Sequence, residues 1–188
     1  MRPGKRRKPL GGAPLQEDDA RLMKAGIALG SNLGNRKAHL AAAKRFLSSL
    51  HTGPGAPLCS ALYETEPVDC ATGTAGFLNA VMEIESPLEP IALLVRLRAF
   101  EEQQGRAAHR AKNSPREIDL DLLYAGDTHT GGPELTLPHP RMSARRFVLQ
   151  PLAEIRPDLV LPGRHLTVAQ LLAALPASPA VRPAHSPW

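Results

Sequence analysis

Two aspartates near the middle of the chain have the type and spacing of a cation site. Asp119 and Asp121 lie in the run Pro-Arg-Glu-Ile-Asp-Leu-Asp-Leu-Leu at 115–123, where they alternate with isoleucine and leucine. This alternation is the period of a half-buried strand, so both carboxylates would leave the strand on the face away from the core. Carboxylate oxygens suit a hard cation such as Mg²⁺, which usually keeps nucleotide phosphates among its ligands. A strand with an acidic solvent face stays the alternative, because an isolated Asp-x-Asp pattern is weak.

Basic residues flank this strand on both sides. Arg116 carries a guanidinium fork of the kind that grips phosphate oxygens. The segment 106–116 holds four arginines or lysines and one histidine without any acidic residue, and His139, Arg141 and Arg145 follow the strand. A polyphosphate lying between these groups and the aspartates would explain the charge, whereas solvated loops are the alternative.

Length, charge and composition exclude several classes of protein. The 188 residues indicate one domain, or one domain with tails. Five basic residues among the first ten account for the net charge of +5, and the remainder has 18 basic and 18 acidic residues, so no specific nucleic-acid partner is expected. The chain has neither an apolar run long enough for a membrane span nor an apolar signal region, so we predict no membrane partner and a cytoplasmic location. Two cysteines and seven histidines show no disulfide framework and no zinc spacing.

Hydrophobic periodicity predicts the order strand, helix, strand, strand, helix, strand. This is the split βαβ order of a ferredoxin-like α+β sandwich, with a largely antiparallel sheet and both helices on one face. A last short helix is expected to begin at the capping-box pair Thr167 and Gln170. The predicted strands are 25–29, 58–65, 77–85 and the aspartate strand, and the predicted helices are 35–50 and 87–104.

The domain boundaries follow from composition. We expect a flexible basic extension at 1–22, a single domain at 23–175, and a proline-rich, disordered tail at 176–188.

The strand predicted at 77–85 carries a candidate pocket for a flat ligand. Its apolar residues alternate, so Phe77 and Asn79 share the face away from the core. An aromatic ring beside a carboxamide could bind a flat heterocycle by stacking and hydrogen bonding, and an edge-strand phenylalanine with a capping asparagine is the alternative. The glycines of the turn at 30–35 fit neither a dinucleotide-binding pattern nor a P-loop, so a role in backbone geometry is as well supported as a functional role.

Six separated segments, taken together, resemble the 6-hydroxymethyl-7,8-dihydropterin pyrophosphokinases of folate biosynthesis. They follow the family's order and spacing over about residues 25 to 175. The segments are Ala28-Leu-Gly-Ser-Asn-Leu33, Tyr63-Glu-Thr-Glu-Pro67, Phe77-Leu-Asn-Ala80, Glu101-Glu-Gln-Gln-Gly-Arg106, Pro115-Arg-Glu-Ile-Asp-Leu-Asp-Leu122, and Leu137-Pro-His-Pro-Arg-Met142 with Arg145 and Phe147.

The resemblance implies an enzyme that binds ATP and two Mg²⁺ ions and moves pyrophosphate onto the hydroxymethyl group of the pterin, with release of AMP. It implies that Asp119 and Asp121 hold both metals. ATP and 6-hydroxymethyl-7,8-dihydropterin are the expected partners, and the chain is expected to be a monomer. The positions that match phosphate contacts are Arg106, Arg116, His139 and Arg145; those near the nucleotide are Glu101, Arg110 and Thr136; those of the pterin pocket are Thr65, Val68, Phe77, Asn79 and Phe147.

The chain departs from the family pattern between 106 and 115. Asn113 and Ser114 stand where family members often carry an aromatic residue and a glycine, and Ala108 stands where the second arginine of this loop is usual. Arg110 or His109 could replace that arginine. By the same resemblance, the segments 66–76 and 105–117 would cover the site and exclude water from ATP.

Three alternatives remain open at this stage. A degenerate, non-catalytic relative is favoured only by the departures in 106–115. A nucleotide hydrolase would keep the metals but would not need Phe77 beside Asn79. A ferredoxin-like RNA-binding module would need exposed aromatic residues and a basic sheet face, and the chain has only one tryptophan, two tyrosines and four phenylalanines.

Overall fold

The computed structural model describes residues 22–65, 76–105 and 116–184 together with Trp188, so the predicted basic extension falls almost entirely outside the described residues. Within these ranges, no helix has the length and apolar character needed to cross a membrane. The elements are β1 (Met23–Ser31), α1 (Arg36–Leu50), β2 (Leu58–Cys59), β3 (Tyr63–Thr65), β4 (Phe77–Ser86), α2 (Pro90–Gln103), β5 (Asp119–Ala125), β6 (Thr130–Gly131), β7 (Thr136–Leu137), a 3₁₀ turn (Met142–Ala144), α3 (Arg146–Ile155), α4 (Val168–Ala173) and β8 (Val181–Pro183).

The main sheet is antiparallel throughout its described pairs, in the order β5-β1-β4-β3-β8, with β2 also paired to β4. The short strands β6 and β7 form a separate ribbon. The α+β class, the predicted order of elements and the antiparallel sheet are therefore confirmed. The single strand predicted at 58–65 is instead two short strands, because the hydroxyl of Ser60 accepts the backbone N–H of Val81 at 3.0 Å where a strand carbonyl would otherwise pair.

Helices α1 and α2 cover one face of the sheet, as predicted. The side chain of Asn35 caps α1 by accepting the backbone N–H of Ala38, and a proline at the first position begins α2. The rings of Phe46 and Phe100 stack with centroids 4.3 Å apart, which joins the two helices. The buried residues of this layer include Leu40, Ala43 and Leu47 of α1, Leu93 and Leu97 of α2, and Ile27, Leu29, Leu78, Met82, Ile84, Leu120 and Leu122 of the strands.

Helix α3, which the sequence did not predict, lies on the opposite face of the sheet. Pro151 lies inside α3, where a proline removes one helical hydrogen bond. The helix forms nevertheless because its apolar side chains are buried against the sheet, and burial of large apolar side chains outweighs one lost backbone bond. The cluster contains Val148, Leu149 and Leu152 of α3 with Val81, Leu123 and Tyr124 of the sheet.

Part of the segment expected to be a disordered tail forms a short strand, β8, among the described residues. Strand β8 pairs with β3, placing Val181 opposite Thr65 and Pro183 opposite Tyr63. The indole N–H of Trp188 donates to the carbonyl of Ser60 at 2.7 Å. A proline is tolerated here because β8 ends the described strand order, and an edge strand can spare one ladder hydrogen bond.

A buried polar cluster fixes α3 to the sheet. The hydroxyl of Tyr124 donates to Oε2 of Glu83 at 2.6 Å, and Nε of Arg156, just after α3, lies 3.2 Å from the same oxygen. Burial, the charge of Glu83 and the hydrogen bond to it raise the pKa of Tyr124, so its hydroxyl keeps the proton that it donates. Glu83 is only 5% exposed, and a buried carboxylate of this kind must be paired.

Replacing Tyr124→Phe should therefore lower the free energy of unfolding by about 1.5–3 kcal/mol, the value of a hydrogen bond to a charged group. The matched control is Tyr63→Phe, whose hydroxyl donates to the exposed Glu154 at 3.0 Å. Water can replace that hydroxyl, so the control should cost less than about 1 kcal/mol. Urea unfolding followed by circular dichroism measures both, and equal losses would contradict the role given to the buried cluster.

Candidate active site

One row across the sheet brings together residues of three strands. Gly30 of β1 pairs with Asn79 of β4 on one side and with Asp119 of β5 on the other, and directly paired residues share a face. A Cβ atom on Gly30 would lie 3.3 Å from Oδ1 of Asn79 and 3.9 Å from both Cβ of Asp119 and Cδ1 of Phe77. A side chain at position 30 would therefore crowd the carboxamide, and the glycine keeps the small space beside Asn79 and Asp119 free.

Gly30 lies in this candidate site, although no clear role for it was apparent from the sequence. A purely backbone role would require a conformation that other residues avoid, and Gly30 is not among the glycines with positive φ, whereas Gly34 is, at +62°. Space, rather than backbone conformation, therefore explains the glycine at position 30. Only its register opposite Asn79 and Asp119 reveals this, and the sequence does not show register directly.

The two aspartates project from β5 as predicted. Ile118, Leu120 and Leu122 are buried, whereas the side chains of Asp119 and Asp121 keep 25% and 35% of their exposure. Among the described residues, no group of three or more histidine, cysteine or acidic side chains converges on one point. Two carboxylates on an open face therefore fit Mg²⁺ in its usual mode, in which one or two protein carboxylates are completed by substrate phosphates.

Three basic groups contact the aspartates, each of them predicted from the sequence. Nη1 of Arg116 lies 2.6 Å from Oδ1 of Asp119. Nη1 of Arg145 donates to Oδ2 of Asp121 at 3.3 Å, and Nε2 of His139 lies 4.0 Å from the same oxygen. Residues 116, 119, 121, 139 and 145 therefore form one cluster, which combines acceptors for a cation with donors for an anion.

The two arginines lie in different electrostatic surroundings. Burial alone would lower the pKa of Arg116, but Asp119, Asp121 and Glu101 together raise it above its ordinary value. Burial and the nearby Arg141 lower the pKa of Arg145, and the aspartates only partly oppose this. Burial first and Arg141 second therefore disfavour the charge of Arg145, and an anionic ligand beside it would offset both effects.

Three of the predicted pterin residues, Thr65, Phe77 and Asn79, lie together at the other end of the row. The amide Nδ2 of the buried Asn79 donates to Oγ1 of Thr65 at 2.8 Å, which fixes the orientation of the carboxamide. Phe77 pairs with Thr65 across the two strands and is half-buried. Phe147 begins α3, and the guanidinium of Arg145 lies 5.5 Å from the centre of its ring. Four of the five predicted pterin residues are thus described, and Val68 lies outside the described residues.

The residues predicted to lie near the nucleotide differ in burial: Glu101 is buried and Thr136 is exposed. Glu101 of α2 is only 3% exposed, and its Oε1 accepts the backbone N–H of Leu120 at 2.7 Å, at the edge of β5 between the two aspartates. Thr136 is exposed on β7, where its hydroxyl donates to the carbonyl of Gly132 at 3.4 Å. Arg106 and Arg110 lie outside the described residues, as do the departures at Ala108, Asn113 and Ser114 and most of both predicted covering segments.

The family model and the similar proteins name the same family. The family model described as 7,8-dihydro-6-hydroxymethylpterin-pyrophosphokinase (HPPK) matches residues 26–157. A 2-amino-4-hydroxy-6-hydroxymethyldihydropteridine pyrophosphokinase of Pseudomonas aeruginosa is 41% identical over 153 residues, covering 80% of this chain and 90% of that protein. The enzyme of the same name from Methylorubrum extorquens is 39% identical over 159 residues, covering 84% of this chain and 96% of that protein.

Solved structures share the fold. A crystal structure of HPPK-DHPS in complex with substrates superposes with a TM-score of 0.62 at 12% identity, covering 82% of this chain and 43% of that chain. Plasmodium falciparum HPPK-DHPS, wild type with pteroate, gives a TM-score of 0.62 at 15% identity, covering 81% and 42%. This chain therefore spans less than half the length of these solved chains, and the likeness concerns the fold alone.

The titration of His139 tests the arrangement of charges around it, which includes Asp121, Arg141 and Arg145. Burial lowers its pKa below 6.5, Asp121 opposes this, and Arg145 and Arg141 add to the lowering. His139 is therefore neutral at pH 7. Because its pKa is lower in the folded chain than in the unfolded chain, its contribution to the free energy of unfolding is complete above the unfolded pKa. This contribution is lost as the pH falls through the folded pKa. In ligand-free protein with EDTA, the NMR titration of its imidazole should have a midpoint below 6.5. Asp121→Asn should lower this midpoint further and Arg141→Ala should raise it, and shifts in the opposite directions would contradict the arrangement.

Proposed function

The chain belongs to the 7,8-dihydro-6-hydroxymethylpterin-pyrophosphokinase family and is a pyrophosphokinase of folate biosynthesis, and from this premise we propose how its residues carry out the transfer. HPPK moves the pyrophosphoryl group of ATP to hydroxymethyldihydropterin. We propose an in-line displacement on the cluster of Asp119, Asp121, Arg116, His139 and Arg145. The observation that carries the proposal is the pairing of both aspartates with arginines, together with the position of Asp119 in the same row as Asn79.

The bonds exchanged in this reaction are few. The hydroxymethyl oxygen of the pterin forms a bond to the β-phosphorus, and the bond from that phosphorus to the α,β-bridging oxygen breaks. AMP leaves with the bridging oxygen, and the hydroxyl loses its proton. Such a transfer needs alignment and neutralisation of charge more than covalent help from the protein.

Asp119 and Asp121 would hold two Mg²⁺ ions, since their carboxylates are accessible and lie on one face of β5. When bound, Mg²⁺ would supply positive charge to the phosphate oxygens on which negative charge develops. Both aspartates already have arginine partners in the ligand-free chain, so neither is an unpaired charge before the nucleotide arrives.

Arg116 and Arg145 would act as a clamp on the phosphates from two sides of the aspartate pair. A guanidinium can donate two parallel hydrogen bonds to a phosphate, which fixes its orientation as well as its position. Neutral His139 can donate one further hydrogen bond to a phosphate oxygen without adding charge. Arg106 would complete the clamp, and Arg110, Glu101 and Thr136 would contact the remainder of the nucleotide.

The pterin would lie over the open space at Gly30, between the rings of Phe77 and Phe147. Asn79 would hydrogen-bond the edge of the heterocycle, because its amide is already oriented by Thr65. Stacking between aromatic faces adds about 0.5–1.5 kcal/mol beyond burial, so these groups place the ring more than they tighten its binding. Val68 would add an apolar contact. The cytoplasmic location and the monomeric state stay predictions.

A single incubation tests the proposed function. The purified chain, Mg-ATP and 6-hydroxymethyl-7,8-dihydropterin should yield AMP and the pterin pyrophosphate in equal amounts, resolved by mass spectrometry. Formation of ADP, or of AMP with free pyrophosphate and no pterin product, would indicate a hydrolase or a different acceptor. A folded sample that gives no turnover would indicate a non-catalytic relative.

Removing either metal-binding charge should abolish the reaction and leave the fold intact. Asp119→Asn and Asp121→Asn keep the size of the side chain, and neither aspartate faces the core, so the melting temperature should change little. The turnover number should fall by at least about 10²-fold, since loss of either carboxylate would weaken the hold on the Mg²⁺ that neutralises the developing phosphate charge. Asp127→Asn is the matched control, because Asp127 is exposed in the turn after β5. Wild-type turnover in either site variant would overturn the metal assignment.

A further inference from the structure

The turn between β1 and α1, residues 31–36, contacts the chain on both sides of the proposed site. On one side it reaches residues 116 and 117, which precede the aspartates of β5. On the other side it reaches residues 64 and 76, which adjoin Thr65 and Phe77. None of these contacts was predicted from the sequence, although the segment Ala28 to Leu33 belongs to the resemblance.

The first set of contacts fixes the backbone of Arg116. Oδ1 of Asn32 accepts the N–H of Arg116 at 2.8 Å, and the N–H of Asn32 donates to the carbonyl of Arg116 at 3.2 Å. The hydroxyl of Ser31 donates to the carbonyl of Glu117 at 2.5 Å. Asn32 is only 3% exposed, so water cannot replace these bonds. The backbone from which the Arg116 guanidinium reaches Asp119 is thus held by three hydrogen bonds, two at Arg116 and one at Glu117.

The second set of contacts is made by Arg36, the first residue of α1. Its Nη1 donates to the carbonyl of Gly76 at 2.7 Å, and its Nη2 lies 3.5 Å from Oε1 of Glu64. Glu64 precedes Thr65 in β3, and Gly76 precedes Phe77 in β4. A Cβ on Gly76 would lie 3.0 Å from the carbonyl of Thr65, so the two strand ends are already close. One guanidinium therefore joins the ends of the two strands that carry Thr65, Phe77 and Asn79.

We propose that Asn32 and Arg36 are positioning residues for the two substrates, one for each side of the site. Asn32 acts through Arg116 on the phosphates, and Arg36 acts through the ends of β3 and β4 on the pterin. This inference rests on the proposed function for the roles of Arg116, Thr65 and Phe77. Neither residue needs to touch a substrate, because a small displacement of a positioned group is enough to cost rate or affinity.

The two residues should affect different kinetic constants, which a merely structural role would not produce. Asn32→Ala should lower kcat about tenfold and leave the KM for the pterin within about twofold, because a misplaced Arg116 weakens the transition state. Arg36→Ala should raise the KM for the pterin about fivefold and leave kcat within about twofold, because the pocket is loosened while the phosphates are not.

Conservative variants separate positioning from folding. Asn32→Asp keeps an oxygen that accepts from Arg116 and replaces Nδ2, which has no hydrogen-bond partner among the described residues. It should retain most of the kcat that Asn32→Ala loses. Arg36→Lys keeps the charge but not the fork that serves two acceptors, so its pterin KM should fall between those of wild type and Arg36→Ala. Lys37→Ala is the matched control, since Lys37 is exposed beside Arg36 and its loss should leave both constants unchanged.

The decisive measurement is steady-state kinetics of all variants with ATP and the pterin varied independently, beside their melting temperatures. The inference is overturned if both alanine variants change the same constant by the same factor. It is equally overturned if Lys37→Ala matches Arg36→Ala, or if Asn32→Asp is as slow as Asn32→Ala while both are folded. An inactive wild type would overturn the proposed function and this inference with it. An active wild type whose two alanine variants change the same kinetic constant would overturn the inference alone.

Discussion

The structure depends on placing two negative charges on one face of a strand whose other face must be buried. Because side chains alternate along a strand, burying Ile118, Leu120 and Leu122 forces Asp119 and Asp121 outward. A register shift of one residue would bury both carboxylates and expose the leucines. Burial of the leucines in the core therefore keeps both aspartates on the outer face. The repulsion between the two carboxylates is then offset by Arg116 and Arg145, which approach from opposite ends of β5 in sequence.

The two faces of the sheet are consequently used differently. α1 and α2 cover the inner face and provide the core against which β1, β4 and β5 keep their register. α3 covers the outer face only where Val81 and Tyr124 lie, and Glu83 with Arg156 holds it there. Asn79, Gly30 and Asp119 lie in one row of the outer face, beside the part that α3 covers. The candidate site includes this row, and the residue before α3, Arg145, contacts Asp121 at its border.

Periodicity predicted what depends on local sequence and missed what depends on long-range contacts. The α+β class, the strand alternation at 118–122, the capping box at Thr167 and the grouping of the aspartates with Arg116, His139 and Arg145 could all be predicted. The position of α3 was not predicted, because it depends on the long-range packing of its apolar side chains on the sheet. β8 was missed because a proline-rich tail has no strand pattern. Arg36 gave no signal, since its main partner is a backbone carbonyl, which any residue could supply.

The pairing of acids with arginines bears on which ligand the proposed site would prefer. Each carboxylate of the pair faces an arginine, and each of these arginines faces a carboxylate. Binding a metal-free polyphosphate would add negative charge beside the aspartates, and binding a metal alone would add positive charge beside the arginines. If a metal–nucleotide complex bound there, the aspartates would pair with the metal and the arginines with phosphate. Such a site would favour the complex over either component, because only the complex would satisfy both signs of charge at once.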